Sequence, residues 1–335
     1  MLISEYERKI VRKICDEIIK HDRFFLTTHQ VPDGDGLGCE LAFSIVLRKL
    51  GKQAIIVNEM LPSAIYSFLP GYSDILPIEK YPEIKLIPDA AIIFDCSNKE
   101  RIGRPLSFIP ESVAIINIDH HQGNTQFGHI NWVCENCSSV GEMCFFILEE
   151  LNCVDKEVAE CLYVAILTDT GSFRHHFDTR TIRIAERLLS TGINPESIAD
   201  HIYNSYPVST LKLLGHALVS LQYDMDLHIA WTVLDEQMLM ETGAFEQDAE
   251  IIVDMLRSIG NVDFVFLVKE RKNEIKFSLR SKKGFNVRLI AEKFGGGGHD
   301  GAAGFSMTGI TLTDAIEKFL RYLKKHQSKR QVENG

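Results

Sequence analysis

Short apolar runs separated by polar turns dominate the first half of the chain. "RFFLTT" (23–28), "AIIV" (54–57), "AAIIF" (90–94) and "VAIINI" (113–118) are rich in β-branched and aromatic side chains and short enough for strands. Helix-period segments lie between and after them. The first covers the charged N-terminus, a second runs from about Leu37 to Leu50 and stops at Gly51, and others cover 139–151, 156–167 and 179–191. Together they predict an α/β fold with a doubly wound, mainly parallel sheet.

Beyond residue 190 the pattern changes. "TGINPESIADHIYNSYPVST" (191–210) reads as a connector with some helix in it. "HIAWTVL" (228–234), "VDFVFLV" (262–268) and "IKFSLRS" (275–281) then alternate with helical segments near 210–222, 246–258, 286–293 and 311–325. This is a second, smaller α/β domain. The division expected is a first domain over 1–190, a connector over 191–215 and a second domain over 216–328. The polar tail "HQSKRQVENG" reads as frayed.

Composition narrows the class. The chain has 335 residues, 45% of them hydrophobic and 24% charged, the balance of a globular protein. No apolar run approaches the ~20 residues of a membrane span, and the N-terminus lacks a signal-peptide core, so a cytoplasmic protein is expected. The eight cysteines all lie in the first half and are expected to stay reduced. Cys134 and Cys137 form a C-x-x-C, but no second pair or histidine pair completes a zinc site, and their surroundings are not thioredoxin-like. The net charge of −10 argues against binding long nucleic acid. Between Lys269 and Arg288, however, eight basic residues face two acidic ones, Glu270 and Glu274. That island suits a local anionic ligand, or a solvated strand pair.

Three of the apolar runs end in the same chemistry. "RFFLTT" leads to His29, Asp33 and Asp35, "AAIIF" to Asp95, and "VAIINI" to Asp119, His120 and His121. Asp169 leaves a helical run in "ILTDTGSF" (166–173). Ligands bind beyond the carboxyl ends of strands in open parallel sheets, so one edge receives all these groups. Carboxylates so crowded repel each other unless cations neutralise them. A D-x-D alone is usually a solvated turn and a His pair alone usually structural, but four sets at matching ends point to divalent metal. Imidazole mixed with carboxylate favours Mn²⁺ over an all-oxygen Mg²⁺ site, with Fe, Co and Zn as alternatives. Two ions ~3.5–4 Å apart form the clamp of phosphoryl hydrolysis.

"FGGGGHDGAAGF" (294–305) follows the basic island. Its glycines allow backbone N–H groups to approach a phosphate, and His299 adds a donor. Arg280 is the guanidinium best suited to a ligand phosphate, while Lys282 and Lys283 supply general positive field.

"HQVPDGDGLG", "FDCS", "DHH" and "TDTG" resemble, in order, the four N-terminal signatures of the DHH phosphoesterase superfamily. "GGGGHDGAAGF" resembles the glycine motif of its DHH-associated C-terminal domain. The resemblance spans about residues 24–308 and is strongest to the stand-alone, NrnA-type branch. It implies an exonuclease that degrades very short RNAs to mononucleotides and dephosphorylates 3′-phosphoadenosine 5′-phosphate (pAp), with the active site in the cleft between the domains. It implies that His29 and Asp33 bind one metal, that Asp35, His120 and Asp169 bind the other, and that Asp95 bridges them. His121 then contacts the scissile phosphate or protonates the leaving oxygen, and Asp119 orients the histidines. Arg280, Gly297, Gly298 and His299 hold the far end of the substrate. A homodimer follows from the resemblance alone. Cys39 and Cys96 depart from the commoner pattern, and their thiols are expected to make the site oxidation-sensitive. The glycines of the first motif are read as letting the loop turn and leaving room for phosphate.

A phosphodiesterase for cyclic di-AMP or pApA shares these motifs. Inorganic pyrophosphatases share the N-terminal chemistry without such a glycine loop. A nucleotide-binding regulator without turnover predicts a broken metal ligand, and all six candidates are intact.

Overall fold

The computed structural model describes residues 2–333 apart from 85, 273, 283, 284 and 299. His299 and Lys283, both singled out above, therefore lie outside the described residues. The chain divides into two compact units, Met1–Ser205 and Tyr206–Gly335.

The first unit carries a six-stranded sheet: β1 (Arg23–Thr27), β2 (Gln53–Asn58), β3 (Ile75–Pro77), β4 (Ala90–Phe94), β5 (Ala114–Asp119) and β6 (Ile130–Val133). All neighbours are parallel and the order is β3-β2-β1-β4-β5-β6. The winding direction reverses between β1 and β4, which opens a crevice at their carboxyl ends. Both faces of the sheet are covered, and this is why the central strands read as unbroken apolar runs.

One face packs on α1 (Glu5–Lys20), α2 (Gly34–Lys49), α3 (Val140–Glu150), α4 (Lys156–Asp169) and α5 (Thr179–Leu189), around Phe24, Phe43, Phe94 and Trp132. The short α6 (Pro195–Tyr203) completes the unit. On the other face, single 3₁₀ turns replace the expected helices, and Ile78, Tyr81, Ile102 and Ile109 cover Phe25, Val57 and Ile93. Pro82 sits inside one of those turns and prevents a longer helix, while Pro105 sits in the first turn of another. The edge strands β3 and β6 are too short for their own periodicity to announce them.

The second unit contains α7 (Val208–Val219), β7 (Gln222–Asp224), β8 (Ile229–Leu234), α8 (Glu236–Thr242), α9 (Glu250–Leu256), β9 (Phe264–Arg271), β10 (Glu274–Ser281), α10 (Arg288–Lys293), β11 (Gly297–Gly298), β12 (Ala302–Thr308) and α11 (Leu312–Glu333). Its sheet has the order β11-β12-β10-β9-β8-β7, parallel only between β8 and β9. Phe266, Phe277, Phe305 and Phe319 form its aromatic core. As far as Glu333 the polar tail lies within the span of α11, whose Gln, Lys, Arg and Glu are good helix formers. No helix among the described residues is long and apolar enough to cross a membrane.

Candidate active site

Helix α2 begins at Gly34, one turn earlier than its apolar pattern indicates. Asp33 is its N-cap, and its Oδ1 accepts from the N–H groups of Asp35 (3.1 Å) and Gly36 (3.2 Å). The motif glycines thus lie inside the helix, a correction to their reading as loop residues. A Cβ on Gly36 would sit 2.2 Å from Thr28 Oγ1, and one on Gly38 would sit 2.4 Å from the Cys161 carbonyl oxygen. Only glycine lets this helix lie so close to β1 and α4.

Asp35, one residue into α2, is buried and points back at the start of α3. Its Oδ2 accepts from Val140 N–H at 2.7 Å and its Oδ1 from Gly141 N–H at 2.9 Å. The positive end of α3 therefore supports this carboxylate.

Around the crevice, ligand atoms of His29, Asp33 and Asp95 lie within 4.8 Å of one another, as do those of Asp35, His120 and Asp169, and those of Asp95, His120 and His121. His29 Nε2 is 3.4 Å from Asp33 Oδ2 and 3.3 Å from Asp95 Oδ2. His120 Nε2 is 3.6 Å from Asp95 Oδ1, 3.5 Å from Asp169 Oδ2 and 3.9 Å from Asp35 Oδ2. Asp95 thus faces both histidines, from a left-handed backbone with φ 51°. The other nitrogen of His120, Nδ1, is 3.1 Å from the Cys137 carbonyl, which aims Nε2 at the carboxylates.

The electrostatics expose the crowding. Burial, with Asp95 and Asp169 nearby, pushes Asp35 well above the usual carboxylate range. Burial and the same repulsion, from Asp95 and Asp33, lift Asp169 to about 6. Burial opposes charge on His29 and His120, but the surrounding carboxylates outweigh it and hold each at about 10. Burial likewise works against Asp95, yet His121 and His29 hold it well below its ordinary value. Its Oδ1 is buried 3.3 Å from His121 Nδ1 and 3.6 Å from His120 Nε2, and among the described residues none makes a well-aligned hydrogen bond to it. Four carboxylates and two imidazoles brought together around Asp95 fit divalent cations.

His121 sits beside this cluster. Its Nδ1 is 2.7 Å from Asp119 Oδ1, and Asn124 Nδ2 donates to Asp119 Oδ2 at 2.6 Å. Arg101 Nη1 lies 3.1 Å from His121 Nε2. Arg101 and Asn124 escape a reading of the sequence. Arg101 stands in an ordinary charged run, "NKER", and only the 3₁₀ turn capped by Asn98 brings it back to the site. The thiols of Cys39 and Cys96 do not behave as expected: both are fully buried, and burial raises Cys96 to about 12 and Cys39 well above its usual value. Protonated and enclosed, they are poor targets for oxidants.

Two family models match: the DHH family N-terminal domain over residues 23–166 and the DHHA1 domain over 230–327. The chain is 32% identical over 322 residues to the bifunctional oligoribonuclease and PAP phosphatase NrnA of Thermus thermophilus, covering 93% of each chain. It belongs to the DHH family. This DHH chain is a phosphoesterase, a hydrolase of phosphoester bonds. The Bacillus subtilis protein of the same name is 28% identical, over 92% of this chain and 96% of that one. Among solved structures, an exopolyphosphatase-related protein from Bacteroides fragilis superposes with a TM-score of 0.89 at 28% identity, covering 96% and 97% of the two chains.

Within the DHHA1 domain, the glycine run forms β11 on the edge of the sheet. Gly298 pairs with Ala303, and Arg280 with Ala302 from the other side, so Arg280 and Gly298 share one end of the sheet. Gly298 has φ 139°, and a Cβ there would lie 2.4 Å from the Ala302 carbonyl oxygen, whereas Gly297 faces open space. The run is therefore glycine partly for its own sheet. Arg280 Nη1 donates to its neighbour's carbonyl, Leu279 O, at 3.2 Å, and its Nε is 3.9 Å from Asp254 Oδ1.

Proposed function

We propose that this DHH phosphoesterase hydrolyses short oligoribonucleotides to mononucleotides and dephosphorylates pAp to AMP, using two divalent metal ions, preferentially Mn²⁺, in the cytoplasm. The observation that carries the reading is the pair of donor groups, His29–Asp33–Asp95 and Asp35–His120–Asp169, on either side of the buried Asp95 carboxylate, whose Oδ2 is 3.3 Å from His29 and whose Oδ1 is 3.6 Å from His120. His29 and Asp33 would hold one ion, Asp35, His120 and Asp169 the other, and Asp95 would serve both. Bound there, the ions would supply hydroxide near neutral pH and neutralise charge on the phosphoryl oxygens.

The protein's own groups do the rest. Asp119 holds His121 by Nδ1, leaving Nε2 to carry the proton for the leaving oxygen. Arg101 Nη1 lies 3.1 Å from that Nε2. A guanidinium that turns to a phosphate releases that nitrogen. Arg280, Gly297, Gly298 and His299 bind the distant phosphate or sugar, and this grip favours short substrates over long strands.

Product analysis with Mn²⁺ on pAp, pApA, cyclic di-AMP, RNAs of 2 to 24 nucleotides and pyrophosphate, with Asp169→Ala as control, tests the reading. Mononucleotides from the shortest RNAs and AMP from pAp are expected, and the variant loses both. Turnover confined to cyclic di-AMP or pApA replaces this function with a signalling phosphodiesterase, and equal rates on the shortest and longest RNAs remove the length preference.

A further inference from the structure

Cys134 and Cys137 flank an exposed turn, Glu135–Asn136, between β6 and the Ser139 cap of α3. Their sulfurs lie within 4.8 Å of one another and of a Glu7 carboxylate oxygen, and Cys137 N–H donates back to the Cys134 carbonyl at 3.0 Å. Three such ligands suggest a metal, but Arg180 already fills the space. Its Nη1 is 3.2 Å from Glu7 Oε1, its Nη2 3.1 Å from Cys137 Sγ and its Nε 2.5 Å from Glu142 Oε1. A guanidinium repels a second cation there and favours thiolate. A cavity of about 220 Å³, lined by Glu135, Asn136, Cys137 and His176, gives a small molecule room on the Cys137 side of the pair.

The turn also carries the active site's backbone. Cys134 N–H donates to the Asp119 carbonyl at 3.0 Å. The Cys137 carbonyl is 3.1 Å from His120 Nδ1, and three residues later Val140 and Gly141 hold Asp35. A change in the turn therefore reaches two of the metal-facing side chains, His120 through one hydrogen bond and Asp35 through two.

We propose that Cys134 and Cys137 form a reversible redox site, closed to a disulfide by a hydroperoxide, and that closure lowers turnover by displacing the Cys137 carbonyl from His120. The Cys134 thiolate attacks a peroxide oxygen, the O–O bond breaks, and the departing hydroxide takes a proton, which leaves a sulfenic acid on Cys134. Cys137 sulfur then attacks that sulfur, the S–S bond forms, and the sulfenic oxygen leaves as water with the Cys137 proton. Two thiols lose two electrons in all, and hydrogen peroxide becomes two waters. The hydrogen bond from Cys137 and the Arg180 guanidinium outweigh burial and hold the Cys134 thiol down at about 6, in keeping with its role as attacker. Closing the bond brings the sulfurs to about 2.05 Å and ties the two ends of the turn, with the Cys137 carbonyl, to one fixed geometry.

The experiment treats the full-length, Mn²⁺-loaded protein with hydrogen peroxide, then with dithiothreitol. Alkylation and peptide mass spectrometry read the disulfide, metal analysis reads Mn²⁺, and hydrolysis of pAp and a dinucleotide reads turnover. A Cys134–Cys137 disulfide, a 10–100-fold loss of turnover and recovery of both on reduction are expected, with Cys134→Ser and Cys134→Ala keeping activity through the peroxide step. No disulfide between these two residues overturns the site. A disulfide with unchanged turnover and Mn²⁺ overturns the coupling, as does a loss that persists in both variants. The disulfide readout stands whichever substrate the enzyme prefers.

Discussion

Arg101 Nη1 and His121 Nε2 are 3.1 Å apart, so the two residues compete for one nitrogen's role. While Arg101 donates there, His121 is neutral with its proton on Nδ1, facing Asp119. Asp95 and Asp119 nevertheless overcome burial to raise the affinity of His121 for a second proton. Arg101→Ala is expected to lower kcat/KM by about 10²-fold, the scale of losing one positioned donor, with thermal unfolding unchanged. Arg101→Lys recovers only part, because an ammonium lacks the planar fork. Steady-state kinetics on pAp checks both.

Metal affinity is expected to rise with pH. His29 and His120, each held at about 10, are protonated at neutral pH in the metal-free chain, and a ligating imidazole must give up that proton. Each proton released makes Kd for Mn²⁺ fall by up to about 10-fold per pH unit. Titrations in buffers of different ionisation enthalpy between pH 6 and 8 count the protons, and a flat Kd removes the linkage.

The metal-free fold itself has the opposite dependence on these histidines. Unfolded, a histidine titrates near ~6.5. A folded value of about 10 therefore contributes stability that is fully present below that pH and is lost as pH rises toward 10. Asp95, held low, contributes above its unfolded value and loses that contribution on acidification. Chelator-treated protein is expected to lose Tm from pH 7 to 9.5, and Mn²⁺ at 100 times Kd to restore about 2.7 kcal/mol per site, roughly 5–10 °C. Scanning calorimetry with and without EDTA measures both.

Gly38→Ala is expected to cost about 1–3 kcal/mol and to weaken metal binding, since its Cβ would strike the Cys161 carbonyl, which no side-chain trimming removes. Gly36→Ala strikes Thr28 Oγ1 instead, so Thr28→Ala in the same chain, which removes that oxygen, should recover part of its loss. Denaturant unfolding of the two single variants and the double variant separates the cases.

The sequence made the central strands legible because a strand buried on both faces has no polar positions to blur it. Its strand-end residues converge as the parallel pattern requires: His29, Asp95 and His120 arrive from three adjacent strands. Other features depended on contacts between distant segments. The grip of Val140 on Asp35 spans 105 positions, and Arg101 reaches His121 through a turn too short for a period. The packing role of the motif glycines is hidden for the same reason, since what excludes a Cβ is Thr28 and the neighbouring helix, absent from the motif itself.

The left-handed backbone at Asp95 limits what mutation can try there. Aspartate, asparagine and glycine enter that conformation readily, and only the first of them keeps a negative charge. Glutamate, its nearest chemical relative, has no such short polar side chain to bond locally and pays for the backbone as any long residue does. The position is thus isolated in sequence space: neither single conservative step from aspartate, to glutamate or to asparagine, preserves both shape and charge.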